Sequence, residues 1–163
     1  MTSDGERDGK ASRRDVLRIV GALAAGCAAP SITVGPAAAT PAEMRAAVAG
    51  VIGDARLNVG KVKLDIPPLV ENGNTVPCTV TVESPMTAAD HVKAIHIFAE
   101  RNPQPYVIGV ALGPRAGRAS ISTRIRLRDT QDVLAVAELS DGTFWSGRVN
   151  VIVTIGACLE DVI

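Results

Sequence analysis

Three cysteines and two histidines carry most of the chemistry open to this 163-residue sequence. Cys158 stands near its C-terminal end, in the run Ile155-Gly156-Ala157-Cys158-Leu159-Glu160-Asp161-Val162-Ile163. A terminal segment not tied into a sheet is free to move. A thiol on such a segment can serve as a covalent carrier: it reaches into another protein's pocket, accepts a group on its sulfur and withdraws. The thiolate is the attacking species, so exposure matters, and Gly156 and Ala157 are read as the flexible root of the arm. Glu160 and Asp161 act against the chemistry, because negative charge beside a developing thiolate raises its pKa. On residue types alone, two other roles for Cys158 stay open: an ordinary strand-end residue, or half of a structural disulfide with Cys78.

The remaining polar residues form no familiar catalytic constellation. His91 and His96 are five positions apart, with no cysteine or carboxylate at metal-ligand spacing, so neither a metal nor a cofactor is expected. His96 falls in a strand and is read as half-buried scaffold. There is no Gly-x-Ser-x-Gly elbow and no phosphate loop. Charge is balanced, with 17 Lys/Arg against 17 Asp/Glu. No basic patch points to nucleic acid or an anionic membrane surface. Arg124, Arg126 and Arg128 alternate along one run and are read as one strand face, solvated in the first instance and open to anion docking in the second.

The elements that must position Cys158 follow from periodicity. Between Pro41 and Asp54, Met44, Val48, Val51 and Ile52 recur at helical spacing, with Thr40 as cap and Pro41 at the first turn. The period then changes to two. Strands are expected at Lys61 to Ile66, Val76 to Val82, Val92 to Ala99, Tyr106 to Leu112, Arg118 to Leu127, Asp132 to Glu138 and Thr143 to Thr154. Breaker clusters separate them at residues 71–74, 102–105, 113–117 and 140–142. About seven strands at this spacing predict a mainly β domain, an immunoglobulin-like sandwich with one N-terminal helix. Alternation in the second run puts Val76, Cys78, Val80 and Val82 on the core face, where Cys78 behaves as a small hydrophobe.

Ahead of the domain, Ser12-Arg13-Arg14-Asp15-Val16-Leu17-Arg18 precedes an apolar run from Ile19 to Ala29 and the small-residue site Ala37-Ala38-Ala39. Paired arginines before a short hydrophobic stretch mark export through the twin-arginine (Tat) route. The apolar run is shorter than the roughly 20 residues of a spanning helix, so cleavage is expected rather than a stable membrane span. Leu23-Ala24-Ala25-Gly26-Cys27 approaches a lipobox, but its leucine is one place too far from the cysteine. The expected organisation is a signal at 1–39, the sandwich at 40–154 and a cysteine-bearing arm at 155–163, with the mature protein in the periplasm. Cys78 and Cys158 would then meet an oxidising compartment.

Several runs carry a resemblance to a known family. Pro67-Pro68-Leu69-Val70-Glu71-Asn72-Gly73-Asn74-Thr75-Val76-Pro77, Glu83-Ser84-Pro85-Met86-Thr87 and Phe98-Ala99-Glu100-Arg101-Asn102-Pro103-Gln104-Pro105 resemble the SoxY sulfur carriers of thiosulfate oxidation. So do Ser122-Thr123-Arg124-Ile125-Arg126-Leu127, Leu139-Ser140-Asp141-Gly142 and Val153-Thr154-Ile155-Gly156, and the N-terminal signal is similar to that family's. The resemblance implies a subunit that pairs with a SoxZ-like partner and carries a covalent sulfur adduct on Cys158, presenting it to loading and unloading sulfur-oxidation enzymes. It also implies a reason for the Tat route, since a SoxZ-like chain without its own signal must cross already bound. The departure lies in the arm: SoxY ends Gly-Gly-Cys-Gly-Gly, whereas Gly156-Ala157-Cys158-Leu159-Glu160 is closer to a SoxY-related group with an AACIE-type terminus. The alternative from another class is a non-catalytic binding or scaffold subunit in which the cysteine is structural.

Overall fold

The computed structural model describes residues 39–157. The signal expected at 1–39, apart from Ala39, and Cys158 with the residues after it lie outside the described residues. Helix α1 (Pro41–Ile52) opens the domain. Its start is fixed by a reciprocal capping box, in which the Thr40 amide donates to Glu43 Oε2 at 2.6 Å and the Glu43 amide donates to Thr40 Oγ1 at 3.3 Å, satisfying two of the donors a helix start leaves unpaired. Met44 and Val48 are its buried residues. They pack with Phe98, Leu134, Val136 and Phe144. Among the described residues no helix is long and apolar enough to cross a membrane.

Nine strands follow among the described residues: β1 (Leu57–Val59), β2 (Val62–Asp65), β3 (Leu69–Asn72), β4 (Val76–Val82), β5 (Val92–Ala99), β6 (Tyr106–Ala111), β7 (Ser120–Ile125), β8 (Gln131–Leu139) and β9 (Phe144–Ile155). One sheet runs β1-β9-β8-β5-β6, with β3 also on β9; the other runs β2-β4-β7. Their facing sides share one core that includes Val80, Ile95, Ile97, Leu127, Val133 and Val151. The larger sheet is therefore covered on both faces, by the smaller sheet and by α1. Accordingly β8 is apolar in near-continuous fashion, Val133 to Ala137 being buried without a break. The fold is the expected mainly β, immunoglobulin-like sandwich with one helix.

The count of seven strands is corrected to nine. The two additions, β1 and β3, are short and pair in parallel with opposite halves of β9, Leu57 to Val59 beside Phe144 to Ser146 and Leu69 to Asn72 beside Ile152 to Ile155. Their existence depends on a partner more than 80 positions away, which no local period reveals. The first expected strand begins one residue late because Lys61 has a φ of 55° after Gly60 at 116°, a left-handed turn outside the strand region. Lys61 instead places its ammonium 4.6 Å above the ring of Trp145. The arginine face is also corrected. β7 ends at Ile125, so only Arg124 belongs to it, and Arg126 and Arg128 lie on the following segment.

Gly147 of β9 lies against the β2 backbone, since a Cβ there would come within 2.3 Å of the Val62 carbonyl oxygen.

Candidate functional site: the root of the C-terminal arm

Strand β9 delivers the chain to the arm, and its final residues are held from both sides. On one side β3 pairs with it from Ile152 to Ile155. Beyond the end of the ladder the Gly73 amide donates to the Ile155 carbonyl at 2.8 Å. On the other side Thr130 Oγ1 accepts from the Val153 amide at 3.0 Å, replacing the β8 partner that has already run out.

Gly156 and Ala157 are docked. The Ala157 amide donates to the Leu127 carbonyl at 3.0 Å, and the Leu127 amide donates to the Gly73 carbonyl at 2.8 Å. Ala157 is only 7% exposed. A Cβ on Gly156 would lie 1.9 Å from the Arg128 carbonyl oxygen, and one on Gly73 would lie 2.1 Å from that of Leu127. Both glycines thus permit backbone to lie against backbone, which places three chain segments at one point immediately before Cys158.

The segment that receives Ala157 is itself positioned by a polar network that sequence reading missed. Gln131 is 2% exposed. Its Oε1 accepts from the Arg101 amide at 2.8 Å, while Nε2 donates to Asn102 Oδ1 and to the Asp129 carbonyl, both at 3.1 Å. Asn102 in turn donates through Nδ2 to the Arg126 carbonyl at 2.7 Å and accepts from the Arg128 amide at 3.1 Å. All polar atoms of the buried amide are satisfied, as burial requires. The only advance signal was Asn102 inside the turn cluster 102–105; Gln131 had none. Outside the network, the Arg101 guanidinium meets Asp129 at 3.1 Å on the surface.

Cys78 lies on the core face of β4, 1% exposed, as a free thiol. Burial first, and the charge of Asp65 second, push its pKa up to about 11. A bridge to Cys158 would require that residue's Cβ about 4 Å from the Cys78 Cβ, inside the packed core. Thr79 and Thr81, on the opposite face, hydrogen-bond across to Ser122 and Ser120 at 3.0 and 3.2 Å.

His96 is half-buried, and its Nδ1 lies 3.1 Å from Tyr106 Oη. Burial lowers its pKa below the ordinary 6.5, against an opposing influence of Glu138. Tyr106 also meets Phe98 edge-on, ring centroids 5.3 Å apart. His91 and His96 are on different elements of the scaffold and converge on no common point with acidic groups: among the described residues no cluster of three or more His, Cys, Asp or Glu is arranged to hold a metal.

Comparison with known proteins bears directly on this site. No curated protein matches the sequence. The backbone resembles the sulfur carrier protein SoxY from Chlorobium limicola f thiosulfatophilum, with a TM-score of 0.60, 26% identity, and coverage of 70% of this chain and 98% of that one. It also resembles superoxide reductases (neelaredoxins), among them that of Ignicoccus hospitalis, with a TM-score of 0.52, 18% identity and coverage of 58% of this chain and 80% of that one. At that identity the second likeness is one of fold. The family model of the sulfur oxidation protein SoxY matches residues 48–158, from within α1 to Cys158. The chain belongs to the SoxY family of sulfur oxidation proteins.

Proposed function

We propose that this protein is a carrier subunit of a Sox-like sulfur oxidation system, holding a sulfur-containing group covalently on Cys158. The observation that carries the reading is that the family match runs to Cys158 while the chain immediately before it is fixed by Gly73, Leu127 and Gly156. A rigid root and a short tether place a thiol at a defined distance from the domain, which is what several enzymes visiting one cargo in turn require. Joining Cys158 Sγ to a reduced sulfur anion forms one S–S bond and releases two electrons, which the loading enzyme takes up. In this reading the domain presents the sulfur, and the enzymes that visit it carry out the chemistry.

The proposed setting is the periplasm, reached through the Tat route by the paired Arg13 and Arg14, with a SoxZ-like chain as the other half of a heterodimer. No cofactor is proposed beyond the sulfur adduct. The docked Gly156 and Ala157 move the pivot of the arm outward, so that Cys158 and the residues after it do the reaching. The clearest mark of the scaffold alternative is a Cys78–Cys158 bridge, whereas Cys78 lies in the core as a free thiol.

Intact mass of the exported protein, purified without reductant and again after reduction, tests the reading. A reducible adduct of sulfur or sulfonate mass that maps to Cys158 and disappears in Cys158→Ser is the expected result. An adduct retained in Cys158→Ser, or a loss of two hydrogens mapped to Cys78 and Cys158, overturns it.

A further inference from the structure

The open side of the sandwich, where the edge strands β6 and β7 of the two sheets lie opposite one another, holds a groove of about 430 Å3. Tyr106, Val107 and Ile125 give it an apolar floor, and Gln104, Arg124 and Arg126 are polar groups along it. Both arginines are exposed. The salt bridges formed among the described residues join Lys93 to Glu138, Arg101 to Asp129 and Arg148 to Asp132. Arg124 and Arg126 thus present two cations beside an apolar trough without a carboxylate from the described domain.

The described chain ends next to this groove. Ala157 is bonded to Leu127, the neighbour of Arg126. The chain continues as Cys158-Leu159-Glu160-Asp161, in which one apolar residue precedes two acids. Four residues span up to about 14 Å, against about 10 Å from Leu127 to Arg124 along an extended strand. Length, order of residue types and charge all match the groove.

We infer that the arm has a parked position in which Leu159 enters the groove between β6 and β7 and Glu160 and Asp161 pair with Arg124 and Arg126. Parking holds Cys158 against the domain when no enzyme is bound, and release needs only the exchange of two rim-exposed ion pairs. The same acids that disfavour the thiolate thereby gain a role as a latch. The inference rests on the carrier reading for its purpose, but its test reads position and not cargo, so either can fail alone.

The experiment uses the full chain with Cys27→Ser, a nitroxide on Cys158, and the NMR intensities of the Gln104 and Val107 amides, with Ser120 at the far end of β7 as control. Selective broadening of Gln104 and Val107 is expected. It should fall about fivefold in Arg124→Glu/Arg126→Glu, fall similarly in Glu160→Lys/Asp161→Lys, and return when all four changes are combined. Salt should weaken it, as for any exposed pair. Broadening that is absent, or insensitive to either charge reversal, overturns the parked arm. Broadening that persists between a spin-labelled chain and a separate isotope-labelled chain assigns the groove to a second copy and overturns it equally.

Discussion

Changing Gly156 or Gly73 to alanine inserts one methyl group at the same junction, yet the two substitutions should differ in cost. A Cβ on Gly156 meets the Arg128 carbonyl oxygen at 1.9 Å, and the chain relieves this by letting the tail lift away. The loss is then bounded by what docks the tail: one hydrogen bond at about 1 kcal/mol and one buried methyl at about 0.8 kcal/mol. Against this, the released residue regains backbone freedom worth about 1 kcal/mol. The net cost is about 1 kcal/mol. Gly73 is held in mid-chain, and its Cβ would meet the equally mid-chain Leu127 oxygen at 2.1 Å as well as the Ala157 nitrogen at 2.9 Å. Relief there disrupts the bonds Gly73 to Ile155, Leu127 to Gly73 and Ala157 to Leu127, so the cost is about 2–3 kcal/mol. Urea unfolding followed through the single Trp145, with hydrogen exchange at the Ala157 amide, reads both quantities. Equal destabilisation by the two variants, or unchanged exchange at Ala157 in Gly156→Ala, would refute the reasoning.

Other consequences come from the core. In the folded protein Cys78, with a pKa near 11, should alkylate at least about a hundredfold more slowly at pH 8 than an ordinary exposed thiol; iodoacetamide labelling with peptide mapping measures the ratio. Gly147→Ala should destabilise by about 2 kcal/mol or more, since its Cβ would press on the Val62 backbone rather than on a flexible side chain, as read by the urea midpoint. Gln131→Leu should cost about 2–3 kcal/mol by removing the bonds that Gln131 makes to the Arg101 amide and the Asp129 carbonyl and one of the two at Asn102 Oδ1. His96 has a folded pKa below its unfolded value. The stability it contributes is therefore complete above about pH 6.5 and is lost as pH falls through the depressed value. The wild-type urea midpoint should drop on acidification below that pH, and His96→Asn should lose part of the slope.

Elements with a period of their own were legible in the sequence. β4 and β5 have the expected limits, Val76–Val82 and Val92–Ala99, β4 because it alternates cleanly and β5 because it is a β-branched, apolar run that stops at the turn cluster 102–105, and Thr40 followed by Pro41 marked the start of α1. What escaped was whatever depends on a distant partner. Three residues at Leu57 become a strand only because β9 lies beside them. Gln131 is a polar residue at the head of an apolar run, and nothing local distinguishes a buried, fully bonded amide from an exposed one. At the arm, a Gly-Ala pair next to a chain end reads as freedom, whereas the close approach of the Arg128 carbonyl makes Gly156 a residue of fit. That distinction lies in tertiary placement, which spacing does not encode.

The placement of β9 bears on how the C-terminal end of the domain withstands load. It is the longest strand, Phe144–Ile155, flanked by β8 on one side and by β1 and then β3 on the other. A pull on Ile155 in line with this strand loads the bonds on both flanks together in shear rather than peeling them in succession. Such a pull works against an anchor set one strand in from the edge of the larger sheet, and it meets paired bonds on two sides instead of unravelling a free last strand.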